Sequence, residues 1–184
     1  GAGPHARGRL SGRPCCTATR STTDAMLSLL TLLLPGWPTT GKAFAELTYP
    51  EPVAEVRTLE LGPVRVAYTD HGQGDRAVVL VHGLGSYIPA WKDNVGPLSR
   101  EHRVIAIDLP GFGKSSKRNG YAYSMELFAT VVQGVIEALG LCRPVLVGHS
   151  MGGQIALTHA LRYPGSARAL VLTSPAGLET FSPD

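Results

Sequence analysis

The sequence predicts an α/β fold: a doubly wound, mostly parallel sheet that opens with an antiparallel hairpin. Three observations carry this. Four short apolar runs, 77–81, 104–107, 144–147 and 169–172, lack polar alternation, as strands buried on both faces require. Segments with helical periodicity lie between them. Ahead of them stand two strictly alternating segments. Strands that alternate with helices imply a parallel sheet covered on both sides.

The first 45 residues are expected to lie outside the fold, and residues 46–184 to form the domain. The chain opens with Gly1, and its first Met is Met26. The apolar run 27–34 is shorter than the about 20 residues a membrane span needs. It has the length of a signal-peptide core, is broken by Pro35-Gly36, and is followed by an A-x-A pattern at Ala43-Phe44-Ala45. A secreted or periplasmic protein is therefore expected. The alternative is a segment that stays attached as an anchor, and membrane association is expected only through residues 26–45. No cation separates Met26 from the apolar run; if translation starts upstream, Arg20 serves as the usual positive flank.

Segments 56–61 and 64–68 alternate apolar and polar residues around Gly62-Pro63, which predicts a hairpin ending at Asp70-His71-Gly72. Between the second and third of the four apolar runs, Leu127, Val131, Val135 and Leu139 recur on one helical face. Ser124 is the expected N-cap and Gly140 the expected stop. A second helix is expected to follow Ser150 and end near Tyr163-Pro164.

Composition narrows the function. The 184 residues, 43% hydrophobic and 17% charged, suffice for one sizeable core. The net charge of +3 arises from Arg7, Arg9, Arg13 and Arg20; without the first 25 residues, acids and bases balance. No basic face for nucleic acid is indicated. Cys15, Cys16 and Cys142 form neither a disulfide framework nor a zinc spacing. Cys142 is expected to open a buried strand as a small apolar residue.

The chemistry concentrates in three loops. Gly148-His149-Ser150-Met151-Gly152-Gly153 matches G-x-S-x-G between a buried strand and an amphipathic helix. A strand that bends this sharply into a helix strains the serine and crowds its neighbours, and Gly148 and Gly152 remove the side chains that would clash. The bend lifts Ser150 to the carboxyl ends of the strands, at a helix N-terminus whose partial charge favours an anion. His82-Gly83-Leu84-Gly85-Ser86 follows the run 77–81. Such a turn can aim backbone N–H groups at a substrate oxygen, with Leu84 and Met151 as the two oxyanion donors. His82 is expected to bond within its loop. Asp108-Leu109-Pro110-Gly111-Phe112-Gly113-Lys114-Ser115-Ser116 lacks the phosphate-loop spacing, and Asp108 is expected to bond the loop.

Taken together, HGxG, DxPGxGxS and GHSMGG resemble the α/β-hydrolase superfamily over residues 55–184. The resemblance implies that the four apolar runs are the family's third to sixth strands. The GHSMGG form is similar to that of esterases, monoacylglycerol-lipase-like enzymes, carbon–carbon bond hydrolases and cofactor-free haloperoxidases. Serine at 150 argues against the dehalogenase and epoxide hydrolase branches, which use Asp there. The family order is Ser, then acid, then His, yet every histidine except His159 precedes Ser150. His159 is expected to point away from the hydroxyl, and Glu179 and Asp184 are weak candidates for the acid. The fold is thus expected to be incomplete, with the base, the acid and the cap in sequence beyond this chain. The implied activity is hydrolysis of a small-molecule carboxylic ester without metal or organic cofactor, this segment itself being inactive or nearly so. The alternatives are a carbon–carbon bond hydrolase or perhydrolase, and a non-catalytic truncated fold that binds a partner. An unpaired sheet edge and poor solubility are expected of the isolated segment.

Overall fold

The computed structural model describes residues 55–178. The tail, the signal-like segment, Cys15, Cys16, Glu179 and Asp184 lie outside the described residues. The hairpin consists of β1 (Arg57–Leu61) and β2 (Val64–His71). Then come β3 (Ala77–Val81), a 3₁₀ turn (Ile88–Trp91), α1 (Lys92–Leu98), β4 (Arg103–Ile107) and α2 (Met125–Ala138). The described part ends with β5 (Val145–His149), α3 (Met151–Arg162) and β6 (Ala169–Thr173).

These strands form one mixed sheet in the order β1-β2-β4-β3-β5-β6. β1 with β2 and β2 with β4 are antiparallel; the remaining pairs are parallel. β3 is central, with Val79 opposite Ile105 on one side and Leu146 on the other.

The unbroken apolar runs are explained by the two faces. Val79, Val81, Ile105, Ile107 and Leu146 pack beneath α2 and α3, against Phe128, Val132, Val135 and Ile155. Val78, Leu80, Val104, Ala106 and Val147 face the other way, onto Trp91, Val95 and Leu98. Each buried Val, Leu or Ile among them contributes roughly 1.5–3 kcal/mol.

In α2 the Ser124 hydroxyl caps the helix, accepting from the Leu127 N–H at 3.2 Å. The buried face is Phe128, Ala129, Val131, Val132, Val135 and Ile136. The predicted stripe is therefore off centre: Leu127 and Leu139 sit at its half-buried margin. Cys142 corrects a second expectation. It lies in the turn before β5 and is partly exposed, because Arg143 (φ 44°) and Pro144 hold the chain in a bend until Val145. Among the described strands β6 lies at one edge of the sheet and β1 at the other, and Ala169, Leu170 and Leu172 are only half-buried. Among the described residues no helix is long and apolar enough to cross a membrane.

Candidate active site

Ser150 joins β5 to α3 with φ 52° and ψ −118°, a conformation that costs about 1–3 kcal/mol for a non-glycine residue. Its surroundings hold it there. The Ser150 N–H donates to Thr173 O of β6 at 3.0 Å. Its carbonyl accepts from Gly153, Gln154 and Ala176 N–H groups at 2.9, 3.3 and 3.0 Å. The two motif glycines act differently. A Cβ on Gly148 would collide with the Gly152 carbonyl, so the bend closes on itself; a Cβ on Gly152 would collide with the Val81 carbonyl at the end of β3. The sequence reading anticipated the first contact, whereas the second needs the β3–β5 pairing. Ser150 is partly exposed, and Met151 beside it is buried.

The turn after β3 abuts the serine. A Cβ built on Gly83 would lie 3.2 Å from Ser150 Cβ and 3.2 Å from His149 Nδ1, so a larger residue would press on the nucleophile candidate. Leu84 and Gly85 follow at the exposed tip, Leu84 being 74% exposed and Gly85 having φ 70°. The turn is closed by Ser86 N–H on Gly83 O at 3.2 Å.

His82 beneath it is 1% exposed. Its Nδ1–H donates to Gly83 O at 2.7 Å, and its Nε2 accepts from the Leu109 N–H at 3.0 Å. These partners assign a neutral ring with the proton on Nδ1. Burial pushes its pKa down, against the opposing pull of the Gly83 carbonyl and Asp108. With both nitrogens engaged, His82 joins the β3 and β4 turns, within and beyond its own loop.

Asp108 bonds the loops, as its position predicts. Oδ1 accepts from Ile88 N–H and Oδ2 from Lys114 N–H, both at 2.7 Å. Sequence reasoning gave Ser115 no role. Its hydroxyl donates to Asp108 O at 2.6 Å and accepts from Ala67 N–H at 2.8 Å, locking the loop to β2. The available signal was a serine inside a glycine-rich loop after a strand.

His159 is fully buried away from the bend, its Nε2 donating to Gln133 Oε1 of α2 at 2.9 Å. Burial lowers its pKa too. Among the described residues no group of three or more His, Cys, Asp or Glu is placed to hold a metal. The structure thus brings Ser150, Met151, Gly148, Gly152 and the turn His82-Gly83-Leu84-Gly85 to one rim of the sheet.

Residues 76–183 match the sequence profile of the alpha/beta hydrolase fold. The chain belongs to the α/β-hydrolase family. It is 40% identical over 129 residues to a 2-hydroxy-6-oxo-2,4-heptadienoate hydrolase of Pseudomonas putida, covering 68% of this chain and 46% of that one. A meta-cleavage product hydrolase of Pseudomonas fluorescens superposes with a TM-score of 0.64 at 32% identity, over 67% of this chain and 46% of the other. A bacterial membrane phospholipase A superposes with a TM-score of 0.66 at 32% identity, over 70% and 42%. This α/β-hydrolase chain spans under half the length of these relatives.

Proposed function

We propose that the protein carrying this chain is a serine hydrolase that cleaves a bond to a carbonyl carbon of a small molecule, with Ser150 as nucleophile. The observation that carries this is the strained, partly exposed Ser150 at the carboxyl end of β5, with the β3 turn so close that a Cβ on Gly83 would lie 3.2 Å from its own Cβ. Ser150 Oγ attacks the carbonyl carbon. The oxyanion is received by the N–H groups of Met151 and Leu84, one such donor being worth about 3 kcal/mol in the transition state. A histidine from the remainder of the protein takes the hydroxyl proton and an acid orients it. Both ring nitrogens of His82 are engaged, and the buried His159 gives its Nε2–H to Gln133.

Two bond classes suit this attack. The Pseudomonas putida relative supports cleavage of a carbon–carbon bond beside a ketone. The phospholipase supports a carboxylic ester, the reading reached from the sequence. The ratio of kcat/KM for a 2-hydroxy-6-oxodienoate to that for a short-chain ester separates them. The nucleophile is tested directly. Full-length protein treated with a fluorophosphonate is expected to carry the label on Ser150, and Ser150→Ala to carry none. Undiminished labelling of that variant removes the assignment.

A further inference from the structure

The backbone of Ser150 is gripped from both sides by β6 and the turn that follows it. Thr173 O receives its N–H, as a parallel ladder requires. Its carbonyl receives the Ala176 N–H, which lies beyond the strand and is no part of that ladder. Gly153 and Gln154 also donate to this carbonyl, as residues in the first turn of a helix do to its N-cap. Ala176 is the donor from outside the helix.

The Ser150–Met151 peptide is planar and trans, so its C=O and N–H point in opposite directions. Whatever fixes the Ser150 carbonyl therefore also aims the Met151 N–H. Three further features seat the turn against α3. A Cβ on Gly153 would lie 2.6 Å from Pro175 Cβ and 2.9 Å from Pro175 Cα, so the second glycine of Gly152-Gly153 lets Pro175 approach the helix. A Cβ on Gly177 would lie 3.0 Å from Gln154 Cδ, so the Gln154 side chain runs along the turn. Ser174 has φ 44°, a second strained residue one position after the strand.

We propose that residues 174–177 are an aiming device for catalysis: Ala176 is a positioning residue that, through the rigid peptide plane, directs the Met151 N–H at the developing oxyanion, and Gly153 is the seat of Pro175. The inference rests on Ser150 being the nucleophile and Met151 an oxyanion donor. A purely structural clamp would affect melting, whereas an aiming device affects the chemical step more than substrate binding.

The test uses full-length protein. The measurements are the fluorophosphonate labelling rate at Ser150, kcat and KM on an activated ester, and Tm. Gly153→Ala pushes Pro175 away. It is expected to lower labelling and kcat by roughly 10–100-fold, the scale of a displacement near 1 Å, with KM within about twofold. Adding Pro175→Gly removes the nearer of the two atoms the new methyl strikes, Cβ at 2.6 Å, and frees the turn to yield at Cα, which stays at 2.9 Å; it is expected to recover part of the loss, about twofold or more, a coupling between touching residues. Wild-type rates in Gly153→Ala, or a double variant no faster than the single, overturn the proposal. If Gly153→Ala does not fold, Pro175→Gly decides. A several-fold fall in kcat at unchanged KM supports the aiming role, and a wild-type kcat overturns it. Wild-type protein that takes no label at Ser150 sinks the nucleophile reading itself, whatever the variants do.

Discussion

The two ends of the central strands are built from different chemistry. At the carboxyl ends of β3 and β4, beside Ser150, the polar groups are buried, and their partners are mostly backbone. His82 joins two turns, Asp108 holds Ile88 and Lys114, and Ser115 ties the loop to β2. At the amino end of β4, Arg103 grips Asp70 with two bonds of 2.8 and 3.1 Å and reaches Leu139 O at 3.3 Å, while Arg57 stands 3.8 Å from the same carboxylate. The Arg103 side chain is 31% exposed there. Buried bonds to backbone fix atoms tightly and lose much when broken, whereas a partly solvated ion pair is looser and worth less. The end that holds Ser150 is the one built for position.

Asp108→Ala should break this comparison most forcefully. It leaves two backbone donors, Ile88 N–H and Lys114 N–H, without their carboxylate. The expected cost is about 3 kcal/mol in denaturant unfolding, with Ser150 labelling slowed about tenfold as the rim loops loosen. Asp108→Asn keeps one acceptor but turns an NH₂ toward a donor, so about half that loss is expected. Unchanged labelling in both variants would mean that the loop supports the fold and has no influence on the site.

Much of this was legible in the sequence, for identifiable reasons. β3 is visible because Ala77–Val81 is buried on both faces, which leaves no room for polar alternation. The bend at Ser150 is visible because only glycine fits at 148 and 152. What escaped depends on contacts between distant segments. Gly152 against Val81, Gly153 against Pro175, and Ala176 on the Ser150 carbonyl all need the strand order, which no local pattern encodes. Cys142 was misplaced because the apolar run hides the bend at Arg143. The centre of the buried face of α2 was displaced because the stripe was counted at a four-residue interval, which drifts around a helix of 3.6 residues per turn.

Acid should sharpen the contrast with a smaller effect. His82 and His102 both have pKa values lowered by burial; at His102 Glu101 opposes the shift and Arg76 adds to it. A histidine whose folded pKa is lowered binds fewer protons than in the unfolded chain. Its contribution is therefore complete above about pH 6.5 and is lost as pH falls toward the lowered folded value. A lower Tm is expected at about pH 5 than at about pH 7.5. The two sites differ in what else changes. Protonating His82 removes the acceptor for the Leu109 N–H, so His82→Gln should alter the acid limb of the Ser150 labelling profile. His102→Gln should alter the melting profile and leave the labelling profile in place. The reverse pattern would contradict the division between the two ends.

The smallest effect is expected from the ion pair. Asp70→Asn removes the carboxylate that holds the Arg103 guanidinium even more firmly protonated than usual, chiefly through their hydrogen bonds. Arg103 retains Leu139 O and partial access to water, so no fully buried charge is stranded. The exposed Arg57, at 3.8 Å, adds little. A loss of at most about 1 kcal/mol is expected at low salt. It should shrink in about 1 M salt, where the screening length falls to about 3 Å. Labelling of Ser150 should stay within about twofold of wild type. A labelling loss approaching that of Asp108→Ala would mean that β4 transmits strain along its whole length, and the sheet would have to be treated as one mechanical unit.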